Sequence, residues 1–378
     1  MKDVMGVIYT SAEDFAMREL TSNRSVTALP LAARYRLVDF LLSNLVNSGI
    51  NKVGLLVHGD YRSLMDHITG GKEWNLHTRN NGMFILPPVS NIAGGSVYKG
   101  VSDALNSNME FLRRSSQKYV LIVGGRILYN TRFDDMIKAH IKSSADVTLM
   151  YTRFDPVNMD YAPDQNSVRA FVDVQDDGSI TDMQINPNTA TYPHMLMDVV
   201  LIRRTLLMQL VDSASSHGMF ELDRNILLPA IKDGVLNVKG YEFTGYARRL
   251  ETIGSYFNMS LELLDPAVRA ALFGVNPVYT KTRDDPPSRY MPGADVSESL
   301  LADGCVIEGE VKSSVLFRGV HVGKNTVIRN SIIMQDCVIG DNVELENVIL
   351  DKDVTILKGG RLIGHRHHPI VLGKNVTL

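Results

Sequence analysis

Residues 322–356 read VGKNTVIRNSIIMQDCVIGDNVELENVILDKDVTI, and aliphatic side chains recur in this stretch at intervals of six. The first series of aliphatic residues is Val327, Ile333, Ile339 and Leu345. The second is Ile332, Val338, Leu350 and Ile356, and it is interrupted by Glu344. A six-residue period with glycine after an aliphatic residue is typical of hexapeptide coils, in which each short strand forms one side of a triangular β-helix and points its aliphatic residue inward. Strands of an antiparallel sandwich would alternate with period two. The pattern therefore predicts a β-helix.

The preceding part of the chain has a different pattern. From Val4 to about Leu264, short apolar runs such as Val4–Tyr9 and Tyr119–Val123 alternate with helical patterns. This alternation predicts a Rossmann-like α/β domain with a mostly parallel sheet, which would bind ligands at the carboxyl ends of its strands. Prolines follow at positions 277, 286 and 287, where they favour an extended linker. We expect an α/β domain over residues 1–264, a linker over 265–292 and the β-helix over 293–378.

Composition excludes several classes of protein. The 378 residues include 39 Lys and Arg against 42 Asp and Glu, a formal net charge of −3. The basic surface that nucleic-acid binding requires is therefore not expected. The two cysteines, Cys305 and Cys337, lack metal-ligand spacing and suggest no disulfide framework. The first residues do not resemble a signal peptide, and no run of about 18 apolar residues occurs. We expect a cytoplasmic protein with neither nucleic-acid nor membrane partners.

The loop after the first strand is a poor triphosphate cradle. Such loops usually contain glycines, whose backbone N–H groups approach the phosphates, and a basic side chain that neutralises them. Here residues 11–16 read SAEDFA, with no glycine and with the carboxylates of Glu13 and Asp14. A like charge at 4–6 Å is unfavourable by on the order of a kcal/mol or more. The loop therefore disfavours ATP.

Several motifs along the chain resemble those of bacterial glucose-1-phosphate adenylyltransferases (ADP-glucose pyrophosphorylases). The motifs are TSNRSVTALPLAARYRLVDF at 21–40, LPP at 86–88, VYKGVSDA at 97–104 and GYARRLETI at 245–253. The resemblance covers essentially the whole chain and implies that the β-helix is left-handed. Members of this family join ATP to glucose 1-phosphate, releasing pyrophosphate and forming ADP-glucose for glycogen or starch. Mg²⁺ and basic residues hold the phosphates, so this chemistry depends on positioning and charge stabilisation.

The charged residues of this family's active site are mostly replaced. Active members carry Arg-Ala-Lys-Pro, where this chain has Val26 in place of the lysine, and Gly-Asp-His, where Arg126 replaces the metal-binding aspartate. Asn186 stands for the lysine of Glu-Lys-Pro, and Arg249 for the acid of Arg-Asp-Val-Gly-Thr. A cation offers Mg²⁺ no oxygen ligand. The resemblance therefore implies no catalytic residues and no metal or cofactor in this chain, with Mg²⁺ bound by a catalytic partner.

This pattern of losses resembles the GlgD-type subunits, non-catalytic paralogues that assemble with a catalytic adenylyltransferase subunit in some bacteria. The resemblance implies a cytoplasmic hetero-oligomer, expected to be a tetramer, in which this chain is a regulatory, allosteric subunit of glycogen biosynthesis. A coupling free energy of a few kcal/mol across an interface would suffice. Homo-oligomerisation of the chain alone is left open.

Two groups of residues are candidates for residual binding. Tyr98, Lys99, Gly100 and Asp103 remain in the segment that faces nucleotide in active relatives, so they form a candidate vestigial nucleotide or sugar-phosphate pocket. The alternative is a structural loop with Asp103 near a helix N-cap. The arginines Arg24, Arg34 and Arg36 form a candidate site for an anionic effector. Their alternative role is a solvated or salt-bridged face.

Two other functions need different residues. An active nucleotidyltransferase with an atypical site would need substitute metal ligands, for which Asp39, Asp103 and Glu251 are the nearby acids. A hexapeptide acyltransferase would need a base, for which His321 is the candidate, in a β-helix with room for about five coils. The cluster His365-Arg366-His367-His368 lacks an acid or thiol at ligand spacing, so an exposed loop is expected there instead of a metal site.

Overall fold

The structure is a computed structural model and describes residues 3–10, 15–59, 61–78, 81–88, 98–154 and 169–378. The described chain forms an α/β domain followed by a β-helix built from three parallel sheets. Both predicted architectures are therefore confirmed. Within the predicted linker 265–292, the structure has helix Pro266–Phe273 and the first strand of the β-helix, Arg289–Tyr290. No helix of the described residues is long and apolar enough to cross a membrane.

The helices are α1 (Arg18–Thr21), α2 (Leu37–Asn47), α3 (Arg62–Ile68), α4 (Val101–Ser107), α5 (Met109–Arg113), α6 (Asp134–Ser143), α7 (Arg204–Ser216), α8 (Leu228–Lys232), α9 (Ile253–Glu262) and α10 (Pro266–Phe273). The strands of the α/β domain are β1 (Val4–Tyr9), β2 (Pro30–Leu31), β3 (Tyr35–Arg36), β4 (Val53–Leu56), β5 (Met83–Leu86), β6 (Tyr119–Gly124), β7 (Ile127–Tyr129), β8 (Val147–Arg153), β9 (Ala170–Val174), β10 (Ile180–Ile185), β11 (His194–Arg203), β12 (Val238–Glu242) and β13 (Ala247–Arg249). Short 3-10 helices span Phe15–Met17, Val26–Ala28 and Thr69–Trp74, and a π-helix spans Asp223–Leu227.

The strands of the β-helix belong to three sheets. The first sheet contains β14 (Arg289–Tyr290), β17 (Val306–Ile307), β20 (His321–Val322), β23 (Val338–Ile339) and β26 (Thr355–Ile356). The second contains β15 (Asp295–Ser297), β18 (Glu310–Lys312), β21 (Val327–Arg329), β24 (Glu344–Glu346) and β27 (Arg361–Ile363). The third contains β16 (Leu300–Leu301), β19 (Val315–Leu316), β22 (Ile332–Ile333), β25 (Val348–Leu350) and β28 (Ile370–Leu372).

The sheet of the α/β domain is parallel at its centre. Strands follow the order β10-β9-β11-β6-β1-β4-β5, and β8 also pairs with β11 and β12. β5, β4, β1 and β6 are mutually parallel, whereas β11 runs antiparallel to β6, β8 and β9. The chain leaves β1 for β4 on one side and returns to β6 on the other. This reversal of strand order opens a crevice at the carboxyl ends of β1 and β6, where ligands of such sheets bind.

Helix α2 covers one face of this sheet. Asp39 accepts a hydrogen bond from the backbone N–H of Arg36 at 2.9 Å and so caps the helix N-terminus. Leu41 and Leu45 are fully buried, as their helical spacing predicts. The helix ends before Gly49, whose φ of 70° is the left-handed conformation that stops helices. The helix and its stop signal are thus confirmed as the sequence predicts them.

Most steps from one coil of the β-helix to the next are 17 residues long, one residue shorter than three hexapeptides, whereas the last step of the third sheet, from Val348 to Ile370, takes 22. His321 pairs with Val338, and Val338 with Thr355. A strict six-residue series therefore slips by one position per coil. Ile333, Ile339 and Leu345 are buried in the core as predicted, but the inward orientation predicted for Val327 and Val338 is wrong. Val338 is 46% exposed on the outer face, and its neighbour Ile339 takes the inward position.

This register predicts effects of very different size on the free energy of unfolding for two adjacent substitutions. Ile339→Ala should lower the free energy of unfolding by about 2–5 kcal/mol, because it leaves a cavity between coils. Val338→Ala should change it by less than about 0.5 kcal/mol, because the removed methyl groups lie at the surface. Urea unfolding of both variants measures the difference. Equal losses would contradict the 17-residue register.

The α/β domain and the β-helix share a hydrophobic core. Outward-facing residues of the third sheet, Val315, Ile332 and Ile349, pack with Val26 and Tyr256 of the α/β domain. Both faces of this sheet are therefore buried, whereas the second sheet carries the ion pairs Arg329–Glu310 and Arg361–Glu344 on its outer face.

A buried ion pair crosses the boundary between the two parts. Arg24 donates from Nη2 to Oδ1 of Asp351 at 2.6 Å, and both side chains are at most 5% exposed. The same guanidinium lies 3.8 Å from the sulfur of Met334. Because the two charges neutralise each other inside the shared core, they fix how the β-helix docks on the α/β domain.

Candidate functional site

The candidate site is the crevice at the carboxyl ends of β1 and β6. Gly125 donates from its backbone to the Tyr9 carbonyl at 2.9 Å, which joins the ends of the two strands. A Cβ at Gly125 would lie 2.4 Å from Oγ1 of Thr27, so only glycine permits this approach. Residues 11–14 of the loop predicted to disfavour triphosphate lie outside the described residues.

Four charged side chains alternate in sign across the crevice. Arg249 donates from Nη2 to Oδ1 of Asp198 at 2.7 Å, and its Nε lies 3.8 Å from Oε1 of Glu251. Glu251 also accepts a hydrogen bond from Nε of Arg169 at 2.6 Å. Asp198 is the most exposed of the four, with 27% of its side chain accessible. We call Asp198, Arg249, Glu251 and Arg169 the ion-pair chain.

The backbone of β11 bends to bring Asp198 into this chain. The pairing of β11 with β8 shifts register between Leu196 and Val199, which is a β-bulge of the kind often found beside functional sites. Asp198 has a φ of 53°, a left-handed conformation that costs a non-glycine residue roughly 1–2 kcal/mol. Its Cβ packs on Gly124, where a side chain would clash. The contact with Arg249 compensates for this local strain.

A further carboxyl group lies beside the ion-pair chain. Burial, together with the charges of Asp198 and Glu221, raises the pKa of Asp223 to about 7, against the opposing effect of Arg249. Asp223 begins the π-helix Asp223–Leu227, an irregularity that is frequent at functional sites. Asp223 thus adds a third carboxyl group beside Asp198 and Glu251, and its raised pKa reflects its burial and the charge already present there.

The structure separates the four replaced positions. Val26 is 2% exposed and belongs to the core shared with the β-helix. Arg126 is half-buried at the end of β6, where its charge acts on Tyr9. Asn186 has a φ of 48° and accepts a hydrogen bond from the backbone N–H of Arg169 at 2.6 Å, so it shapes a turn. Arg249 is thus the one of the four whose described contacts place it in the ion-pair chain.

The candidate vestigial pocket is occupied by structural contacts. Tyr98 donates from its hydroxyl to the Leu86 carbonyl at 3.1 Å, and the Lys99 ammonium lies 4.5 Å from the Phe220 ring centroid. Asp103 accepts a hydrogen bond from the backbone of Lys99 at 2.9 Å in the first turn of α4. A Cβ at Gly100 would lie 2.4 Å from the Phe220 carbonyl oxygen. These contacts agree with the structural alternative, and no contact here requires a ligand.

The three acids nominated as substitute metal ligands are also engaged. Asp39 is buried in α2, 2.6 Å from Nε2 of His67. Asp103 accepts a hydrogen bond from the backbone N–H of Lys99, and Glu251 binds Arg169. Among the described residues, no group of three or more His, Cys, Asp or Glu side chains is arranged to hold a metal ion. The atypical active site proposed from sequence therefore finds no support in these contacts.

A cavity of about 1180 Å³ extends from the ion-pair chain toward the β-helix. Arg169, Arg249 and Glu251 form one wall, and the loop 366–369 forms another. His365 and His368 exchange backbone hydrogen bonds of 3.2 and 2.9 Å, which closes this loop as a tight turn. His321, the candidate acyltransferase base, lies exposed on the outer face of β20, away from this cavity.

A second, smaller pocket is strongly basic. It has a volume of about 310 Å³ and is lined by six Lys and Arg residues and one acid, Asp66. The six basic residues are Arg34, Arg36, Lys281, Arg283, Arg318 and Lys352. Arg318 is 8% exposed, and its Nε and Nη2 make no hydrogen bond. We call these residues the basic pocket. The structure brings Arg34 and Arg36 together there and leaves Arg24 apart, bound to Asp351.

The charges within the basic pocket affect one another. Burial and the neighbouring Arg36 and Arg24 lower the pKa of Lys352 to about 8. Burial and Arg24 likewise lower the pKa of Arg36 to about 10. Both shifts mean that the protonated, positively charged forms of Lys352 and Arg36 are disfavoured in the pocket. A bound anion would stabilise these charged forms.

Several of these residues could not be identified from the sequence alone. Asp198, Arg169 and Asp223 carry no motif, and their partners lie far away in the chain: 51 residues separate Asp198 from Arg249. Arg318 and Lys352 lie in the β-helix, where hexapeptide spacing gave no reason to group them with N-terminal arginines. The adjacent arginines at 248 and 249 were the feature of the sequence that pointed to the ion-pair chain.

Comparisons with known proteins match both parts of the chain. Residues 16–159 match the nucleotidyl transferase family, and residues 287–368 match the GlmU-like C-terminal hexapeptide family. The chain is 33% identical to the glycogen biosynthesis protein GlgD of Bacillus subtilis (strain 168), over 99% of this chain and 96% of that protein. It is 35% identical to GlgD of Geobacillus stearothermophilus, over 86% and 82%. It is 30% identical to the glucose-1-phosphate adenylyltransferase of Clostridium kluyveri, over 88% and 86%.

Proposed function

Because the chain belongs to the family of glucose-1-phosphate adenylyltransferases and GlgD proteins, we propose that it serves glycogen biosynthesis as a regulatory subunit without catalytic activity of its own. In this proposal it assembles with a catalytic glucose-1-phosphate adenylyltransferase subunit, as a hetero-oligomer, and alters that subunit's rate or affinity. The partner binds ATP, glucose 1-phosphate and Mg²⁺.

The ion-pair chain is the observation that carries this proposal. Adenylyl transfer needs cations that neutralise phosphate and a metal that bridges oxygens. In this crevice Arg249 and Arg169 are bound to internal carboxylates, and Asp223 adds further acid. Groups already neutralised within the protein have little electrostatic attraction left for a substrate. Removing one such stabilising contact typically costs about 10²- to 10³-fold in rate, and here several are absent.

Regulation by this chain requires coupling to the partner across an interface. A change of a few kcal/mol in the relative stability of two partner conformations is enough to change activity substantially. The β-helix docks rigidly on the α/β domain through the shared core and the Arg24–Asp351 pair. A rigid connection of this kind transmits a displacement from one part of the chain to the other.

The purified chain with ATP, glucose 1-phosphate and Mg²⁺ should release pyrophosphate at least about 10³-fold more slowly than the catalytic homologue from the same organism. Mixing the two should change the homologue's rate or substrate saturation and produce a hetero-oligomer on size-exclusion chromatography. Robust turnover by the chain alone, lost on Glu251→Gln, would contradict the proposal. Mixing without complex formation would equally count against it.

We further propose that the basic pocket binds an anionic effector, for which Arg34 and Arg36 were candidates from sequence. Six basic residues and one acid line the pocket, and Nε and Nη2 of the buried Arg318 make no hydrogen bond. Asp285 lies 3.7 Å from Nε of Arg318 and Asp303 lies 3.3 Å from Arg34, but the lining keeps an excess of cations that favours a phosphate-bearing or sulfate-like group. Because residues from both the α/β domain and the β-helix line the pocket, an anion there would connect the two parts.

Sulfate binding to the basic pocket should weaken by about tenfold as the pH rises from 7 to 9, because Lys352, with a pKa of about 8, loses its charge in this interval. Titration calorimetry at constant ionic strength measures this, and sulfate stays fully ionised throughout. Lys352→Gln should weaken binding at pH 7 and remove most of the pH dependence. An unchanged pH profile in this variant would exclude Lys352 from the site.

A further inference from the structure

The residues of the crevice do not fit the divalent cation that this family of enzymes uses. The guanidinium of Arg249 lies between two carboxylates, 2.7 Å from Oδ1 of Asp198 and 3.8 Å from Oε1 of Glu251, and the charge of Asp223 also acts on it. The described residues contain no ready-made group of acidic or imidazole ligands for a metal. A divalent metal ion and a guanidinium cannot bind the same few oxygen atoms, because the two positive charges repel each other. The Arg side chain also has no lone pair to offer the metal.

We propose that Arg249 is a resident cation, a covalently attached positive charge that takes the place of a divalent metal ion between Asp198 and Glu251. The charges of all three acids raise the pKa of Arg249 against the opposing effect of its burial. The side chain is only 6% exposed, so solvent screens these interactions weakly. The carboxylates of the crevice thus require a neighbouring positive charge, and Arg249 supplies it.

The geometry around Arg249 distinguishes this role from that of an ordinary surface ion pair. Its Nη2 binds Asp198 and also donates to the Leu196 carbonyl at 3.2 Å, while its Nε faces Glu251. Oxygen atoms therefore approach the guanidinium from more than one side, as ligands approach a metal. Arg248, the preceding residue, shows the contrast, because it binds the single carboxylate of Glu262 at 2.8 Å and is 27% exposed.

Removing this cation should leave the acids in need of another. In Arg249→Ala, Asp198 and Glu251 face a space the size of the lost side chain. Mn²⁺ is the probe of choice, because it is a hard cation that prefers oxygen ligands and can complete its coordination with water. Shortening Arg249 should therefore convert an internal ion pair into a divalent-cation site. The inference rests on the proposed loss of catalysis, but its readout is cation binding and not activity.

The experiment measures free Mn²⁺ by electron paramagnetic resonance in titrations of the wild-type chain, Arg249→Ala, Arg249→Gln and the matched control Arg248→Gln. We expect Arg249→Ala and Arg249→Gln to bind one Mn²⁺ at least tenfold more tightly than the wild type and Arg248→Gln. Adding Asp198→Asn to Arg249→Ala should abolish the gain. Thermal unfolding should show that Mn²⁺ raises the Tm of the two Arg249 variants only.

Either of two results in the Arg249 variants would overturn the inference: no gain in Mn²⁺ affinity when they are folded, or a gain that persists when Asp198→Asn is added. An equal gain in Arg248→Gln would also overturn it. So would Mn²⁺ binding by the wild-type chain that is lost on Asp198→Asn. If an Arg249 variant is unfolded in EDTA, recovery of its circular dichroism by Mn²⁺ supports the inference, and failure to recover at any concentration overturns it. Pyrophosphate release by the wild-type chain would disprove the proposed function while leaving the Mn²⁺ titration interpretable, so the two failures are distinguishable.

Discussion

Asp351→Ala should lower the free energy of unfolding by about 3–5 kcal/mol, the usual cost of leaving one partner of a buried ion pair without its counter-ion. Arg24 would remain inside the core shared by the α/β domain and the β-helix, where its side chain is 5% exposed. The Asp351 carboxylate also accepts from the backbone of Lys352 at 2.7 Å, and this donor would lose its partner too. Urea unfolding at pH 7 measures the change.

A double substitution provides the control for this prediction. Arg24→Met with Asp351→Leu removes both charges and keeps apolar volume, and such replacements are often neutral or stabilising. We expect the double variant to be at least about 2 kcal/mol more stable than Asp351→Ala. If Asp351→Ala is as stable as the wild type, the ion pair does not hold the two parts together.

Glu251→Ala should produce a loss of similar size, about 3–5 kcal/mol, for a related reason. Glu251 is 2% exposed and lies between Arg169 and Arg249, so its removal leaves two buried guanidinium groups facing each other. Like charges in a weakly screened interior repel strongly. Thermal and urea unfolding of the variant measure the effect, and added chloride or phosphate should restore part of the stability by entering between the arginines.

Glu262→Ala is the matched control for Glu251→Ala. Glu262 also pairs with an arginine, Arg248, at 2.8 Å, but both side chains are about one-third exposed. Such pairs contribute about 0–1 kcal/mol, because water solvates the charges whether or not they meet. The contrast between the two variants isolates burial as the cause. Equal losses would show that the ion-pair chain is no more than a surface network.

The sequence predicted the architecture well because its signals are local. Strand β1 and helix α2 follow from hydrophobic runs and spacing within about ten residues, and both lie where the pattern indicated. The β-helix follows from its six-residue period, but the length of a coil depends on how its turns close. A turn shortened by one residue leaves the period visible and changes which face of a strand Val338 occupies.

The site was predicted less completely because its partners are distant in sequence. Resemblance to active relatives identified Arg249 as a replacement, but the residue that binds it, Asp198, lies on another strand and becomes available only through a bulge and a left-handed backbone. Likewise, Arg24 and Arg36 stand twelve positions apart, yet one binds Asp351 and the other lines the basic pocket. Sequence spacing shows which charges are close in the chain, whereas folding decides which carboxylate each charge meets.

The third sheet of the β-helix, buried on both faces, restricts how such a chain can change over evolutionary time. Its outer residues Val315 and Ile332 fit against Val26, and the charge of Asp351 fits that of Arg24. If the β-helix were replaced by that of a paralogue, the new side chains at its interface with the α/β domain would not fit the residues they contact there. Recombination within the family should therefore exchange the α/β domain and the β-helix together. Exchange of one of them alone should require compensating substitutions at positions 24 and 351.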